Sequence, residues 1–150
     1  MPSVVFNKKK TIGRYFEGLM RPVLAEMGME VIDSEKERYS VKKGYDCIVR
    51  INGGSAKLEF KYDVKSEETG NVCLELEALS HSTSDILVYG LPERDHLDVL
   101  TMWLSDALSF AQNWPTKALV GEFRLPAALV PKETFLGQKF VRHWKTINLN

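Results

Sequence analysis

A chain of 150 residues, 44% of them hydrophobic, is enough for one domain (residues 1–150) with an ordinary core. Its 20 basic residues balance its 20 acidic ones. That balance argues against coating nucleic acid by bulk charge but allows a local basic patch. The opening MPSVVFNKKK holds no apolar stretch of signal-peptide length, and no run approaches membrane-spanning length. A cytoplasmic protein without membrane contact is therefore expected, and Cys47 and Cys73, both in apolar strand-like contexts, read as reduced core thiols. There is no CxxC, HExxH, Walker-type loop or internal repeat.

Lys8, Lys9 and Lys10 precede Thr11, a suitable N-cap. From there Ile12, Phe16, Leu19, Met20, Val23, Leu24 and Met27 form a helical stripe. Pro22 predicts a kink or a broken last turn, and Gly28 a C-cap. Glu17 lies at the margin of the stripe, where it faces either solvent or a cleft beside a sheet. Residues 29–32 predict a short edge strand, and 33–43 (DSEKERYSVKK) a charged loop or an exposed strand extension.

Residues 44–61, GYDCIVRINGGSAKLEFK, read as two strands joined at Asn52-Gly53-Gly54, where φ > 0 is tolerated. On the second arm Leu58, Phe60 and Tyr62 share one face, and Glu59 and Lys61 the other. On the first arm Asp46 interrupts a run of apolar residues, a position that costs stability without a partner. Two carboxylates and an ammonium at one end of a hairpin can find that partner in a divalent metal. The plainer reading of Glu59 and Lys61 is a solvated cross-strand charge pair.

Residues 63–70 form a polar connection closed by Gly70, and 71–77 alternate as a half-buried strand with Glu75 and Glu77 on its polar face. Residues 80–84 (SHSTS) are a hydroxyl-rich loop, and 86–89 a short buried strand ended by Gly90 and Pro92. Asp95 then reads as the N-cap of the longest helix, with Leu97, Leu100, Trp103, Leu104, Ala107, Leu108, Ala111 and Trp114 as its core stripe, stopped by Pro115. Residues 118–125 suggest another strand. The tail, with Lys139, Arg142, His143, Trp144 and Lys145, suits a nucleic-acid contact or a packed terminal strand with a solvated face. None of the three histidines has a zinc-site spacing. The order predicts an α/β fold, a mixed central β-sheet flanked by helices.

Asp46 in YDC, Glu59-Phe60-Lys61 in LEFKYD and Glu17 on the first helix have the order of a D…ExK signature. Thr69-Gly70-Asn71 with Glu75 adds a TGN-x-x-x-E segment, and Ser82-Thr83-Ser84-Asp85 then leads into a strand. On these residues the chain resembles the PD-(D/E)xK nuclease superfamily, in particular its small stand-alone phage and bacterial members, over residues 11–89. Tyr45 stands where the family name has proline. The resemblance implies a restriction-endonuclease-like core (αβββαβ) and Mg²⁺- or Mn²⁺-dependent hydrolysis of DNA phosphodiester bonds in phage recombination, repair or DNA processing.

Asp46, Glu59 and the Phe60 carbonyl would then hold the metal, hard oxygen donors that suit such an ion. Lys61 would orient or deprotonate the attacking water and hold phosphate. Glu17 would be an outer acid or a ligand to a second ion, a role Glu75 could share. Asn71, Thr83, Lys9, Lys10 and Arg14 would contact the substrate, and a homodimer is compatible. The alternative is a non-catalytic binding protein on the same scaffold, a phage factor engaging a host protein or nucleic acid, which the neutral net charge favours. Clustering of Lys8–Lys10, Lys42, Lys43, Lys57, Arg142 and Lys145 about the acids would favour the nuclease.

Overall fold

The computed structural model describes residues 4–34 and 45–149, with side chains for 14–32 and 45–149. Helix α1 (Val4–Glu26) leads through a turn at Gly28 (φ 77°) into β1 (Glu30–Ser34), an edge strand. The hairpin follows as β2 (Cys47–Ile51) and β3 (Gly54–Tyr62), paired antiparallel from Cys47–Leu58 to Ile51–Gly54. Asn52 and Gly53 take φ of 43° and 83°, the two left-handed positions of a type I′ turn.

A crossover of α2 (Ser66–Thr69), β4 (Asn71–Glu75) and α3 (Leu76–His81) returns the chain as β5 (Ile86–Pro92), parallel to β3. Then come β6 (His96–Trp103), α4 (Leu104–Asn113), β7 (Lys117–Val120), β8 (Leu125–Pro131), α5 (Lys132–Leu136) and β9 (Arg142–Asn148). Among the described residues the central sheet runs β1-β2-β3-β5-β6-β9, and a second, antiparallel sheet runs β4-β8-β7. The expected α/β class, a mixed sheet flanked by helices, is present.

Each face of the central sheet is a core. On one, Phe16, Met20, Val23 and Leu24 of α1 pack on Cys47, Val49, Leu58, Val88, Leu97 and Val99. On the other, Leu87, Tyr89, Leu91, Leu100 and Met102 meet Val72 and Leu74 of β4, Ala128 and Val130 of β8, Ala107 and Ala111 of α4, and Phe135 of α5. Burial on both faces explains why β5 reads ILVYGLP without alternation. No helix of the described residues is long and apolar enough to cross a membrane.

Several elements differ from expectation. α1 begins at Val4 rather than at Thr11 and continues through Pro22 to Glu26, since residues 4–10 contain no Gly or Pro to stop it. The loop expected at 33–43 lies outside the described residues beyond Ser34, as do Lys42 and Lys43. The strand expected over 71–77 ends at Glu75, because Leu76 and Leu79, three apart, turn inward as a helix. β5 continues past Gly90 to Pro92. The segment expected from 118 to 125 is a hairpin of β7 and β8, turning at Gly121 and Arg124, both with positive φ.

The expected long helix from Asp95 is instead β6 followed by α4. The cause is that both faces of β6 are covered, so it carries apolar residues on both. Leu97 and Val99 enter the α1-side core, whereas Leu100 and Met102 enter the opposite one. Leu97 and Leu100, three apart but on opposite faces of a regular strand, mimic the step of a helix, while pairing to β5 and β9 holds the chain extended. Trp103 is consequently 60% exposed rather than core, and His96 starts a strand, not a helix. Trp114 is half-buried, its Nε1 donating to the Leu129 carbonyl at 2.8 Å. The tail is β9, with Trp144 and Ile147 against the α1-side core and Arg142 and His143 exposed.

α1 docks through Phe16, which stacks on Tyr62 (5.4 Å between centroids) and meets Phe60 edge-on (5.9 Å) above Gly90. A Cβ at residue 90 would lie 2.7 Å from Phe16 Cε1 and 3.1 Å from Tyr62 Cδ2. Phe16 is 1% exposed and has nowhere to retreat. Gly90→Ala should therefore cost about 1–3 kcal/mol, read as a lower urea midpoint at unchanged m-value. Adding Phe16→Leu should restore part of the loss.

Candidate functional site

The two-residue period of β3 divides its side chains. Leu58, Phe60 and Tyr62 turn toward α1, and Glu59 and Lys61 toward the other face, where their partners on β5 are Leu87 and Tyr89. On that side β3, β4, β5 and α3 enclose a hollow of about 40 Å³, room for a few waters. Glu59, Lys61, Cys73 and Glu75 supply its polar wall, and Leu74, Leu79, Leu87 and Tyr89 the apolar one.

β4 brings Glu75 to the hollow because its ladder with β8 runs alongside, pairing Glu75 with Ala127. Glu75 Oε1 lies 3.7 Å from Lys61 Nζ, and both side chains retain solvent contact. Glu59 Oε2 accepts a short hydrogen bond from Ser82 Oγ and a longer one, 3.5 Å, from Ser84 Oγ. The loop bearing these serines is tied to β3 by Asp85, whose N–H donates to the Lys57 carbonyl (2.8 Å) and whose Oδ2 accepts from Lys57 N (2.9 Å).

Asp46 occupies the bend one residue before β2 rather than the strand itself. Its N–H donates to the Leu58 carbonyl at 2.9 Å, and its Oδ2 accepts from Phe60 N at 2.7 Å. The carboxylate thus takes the place of a backbone acceptor where β2 has ended and β3 continues, directly beside the Glu59-Phe60-Lys61 triplet.

Glu59, Lys61 and Glu75 therefore share one hollow. Glu17 forms an ion pair with Arg21 on its own helix (3.6 Å), and α1 covers the face of β3 opposite Glu59 and Lys61. Asn71 begins β4, four residues before Glu75 and so about 13 Å along the strand. Thr83 is exposed between the two serines, and Arg14 is exposed on α1. The side chains of Lys9 and Lys10 lie outside the described residues. Among the described residues, no group of three or more acidic, histidine or cysteine side chains is arranged to hold a metal ion.

Sequence reasoning missed Asp63, Tyr89, Cys73, Ser82 and Ser84. Asp63, only 8% exposed, accepts from Cys73 N at 3.0 Å and from the Tyr89 hydroxyl in a short hydrogen bond. Burial, reinforced by the Asp63 charge, holds the Tyr89 hydroxyl well above the ordinary tyrosine range. Parity offered a signal, since residues 59, 61 and 63 share a face. The serines had none, because their partner is more than twenty residues away.

No protein-family model, curated protein or solved structure matches this chain.

Burial, with Asp63 and then Glu75 adding to it, pushes the Cys73 thiol from 9.0 up to about 11, against the opposing pull of Lys61 and Lys65. Folding thus favours the neutral thiol. That contribution to stability is intact below pH 9.0 and is lost as pH rises toward about 11. In a Cys47→Ala background, thiolate absorbance should titrate near the higher value in the folded protein and near the lower in denaturant. Cys73→Ala should lose less stability than its parent across that window.

Proposed function

We propose that this chain is a metal-dependent nuclease hydrolysing DNA phosphodiester bonds on a restriction-endonuclease-like core, in phage recombination, repair or DNA processing. The observation that carries the reading is the meeting of Glu59, Lys61 and Glu75 in one solvent-reachable hollow, with the Asp46 carboxylate hydrogen-bonded to the backbone of Phe60. DNA as the substrate rests on the D…ExK resemblance.

The donor chemistry fits a hard divalent cation. Asp46 and Glu59 would hold Mg²⁺ or Mn²⁺, and two carboxylates suit an ion that keeps several waters. In an extended strand a residue's carbonyl leaves on the same side as its N–H. The Phe60 N–H meets Asp46, so its carbonyl is the natural third oxygen. When bound, the ion supplies Lewis acidity, acidifying a water and stabilising charge on the phosphate.

The chain's own groups do the rest. Lys61, drawn toward Glu75, has three N–H donors to orient an attacking water or grip a phosphate oxygen. Glu75 keeps the ammonium over the hollow until a phosphate competes for it. The apolar wall of Leu74, Leu79 and Leu87 limits water around these groups and strengthens their electrostatics. On this reading Asn71, Thr83 and Arg14 belong to the approach of the substrate, whereas Glu17, ion-paired to Arg21 on the helix that covers the opposite face of β3, takes no part in holding the ion.

The equal counts of basic and acidic residues favour a second reading, a non-catalytic binding protein on the same scaffold. Incubation with single-stranded, double-stranded and branched DNA, with and without Mg²⁺ or Mn²⁺, separates the two. The nuclease reading expects metal-dependent cleavage that Asp46→Ala and Lys61→Ala each reduce by about a hundredfold or more, with circular dichroism unchanged. Absence of cleavage by the parent protein on every substrate would overturn it in favour of the binding reading.

A further inference from the structure

We infer that Ser82 is a positioning residue: its hydroxyl fixes the Glu59 carboxylate in the orientation a divalent cation requires. The inference rests on the reading of Glu59 as a cation ligand. A glutamate in a solvent-reachable hollow has three rotatable side-chain bonds and loses cation affinity in proportion to the orientations it samples.

The donor's direction is itself set. Ser82 Oγ accepts from the N–H of Ser84 at 3.2 Å, which leaves its own proton to point at Glu59 Oε2. Ser84 Oγ approaches the same oxygen from 3.5 Å. Ser84 precedes Asp85, which holds the backbone of Lys57 through two hydrogen bonds. Lys57 and Glu59 belong to the same strand and face the same way, two residues apart. The serine loop is thus anchored at one point of β3 and presses on the carboxylate at the next, so the hydroxyl and its target keep a common frame. Neighbours that orient a ligating carboxylate in this way are worth about 10- to 100-fold in metal affinity.

The test is calorimetric titration of the full chain with Mn²⁺, without any nucleic acid. Ser82→Ala should weaken Mn²⁺ binding by about 10- to 100-fold, Ser82→Thr should restore affinity close to that of the parent, and Glu59→Gln should abolish binding. Thermal unfolding without metal should be nearly unchanged in both serine variants. If Ser82→Ala binds Mn²⁺ as tightly as the parent while Glu59→Gln does not bind, positioning is overturned and the ligand role of Glu59 stands. If the parent itself does not bind Mn²⁺, both are overturned. If Ser82→Ala lowers the metal-free unfolding temperature and Ser82→Thr restores neither affinity nor stability, the serine is structural and positioning is again overturned.

Discussion

Successive side chains of an extended strand leave on opposite sides, so a strand covered on both faces must satisfy two environments with one backbone. β3 is under that constraint. Its even-numbered residues Leu58, Phe60 and Tyr62 furnish the surface on which Phe16 and the rest of α1 settle. Its odd-numbered residues Glu59 and Lys61 are thereby committed to the other side, against β4 and β5. A slip of one residue in the β2–β3 register would exchange the two sets, putting charge beneath the helix and aromatics in the hollow. The Asn52-Gly53 turn, with both residues left-handed, protects against that slip.

Polar groups on the hollow side are tolerable because each has somewhere to go. Asp63 receives the Tyr89 hydroxyl and the Cys73 N–H, and its carbonyl accepts from the buried Ser66 hydroxyl at 2.8 Å. No buried side-chain nitrogen or oxygen among the described residues lacks a hydrogen-bond partner. A satisfied network of this kind is rigid, since each member fixes the next. It locks β3, β4 and β5 at their junction and defines the rim on which Lys61 and Glu75 stand. Removing one member would leave its neighbour buried and short of a partner, which costs more than the bond itself contributed.

The hairpin, the α1 stripe and the shared face of Glu59 and Lys61 were legible in the sequence because each depends on short-range periodicity. The long helix expected from Asp95 failed for a related reason. β6 is buried on both faces, and apolar residues of both parities, Leu97 and Val99 on one side and Leu100 and Met102 on the other, leave a spacing that resembles a helical one. The second sheet was harder still, since the Ala127-Ala128 segment of β8 is extended only by virtue of its partners β4 and β7. The same distinction holds within the site. Parity accounts for Glu59 and Lys61, whereas the approach of Ser82 to Glu59 and of Glu75 to Lys61 depends on chain crossings that no local pattern encodes.

β4 finds no ladder partner near it in sequence: its neighbour is β8, whose first residue comes fifty positions after the last of β4. The β2–β3 hairpin can close as soon as its turn is made, but the wall carrying Glu75 must wait for a distant stretch of chain. During synthesis, one side of the hollow thus exists well before the other. A nascent chain would expose Glu59 and Lys61 on an open sheet, and only arrival of the last third of the polypeptide would convert that surface into an enclosure.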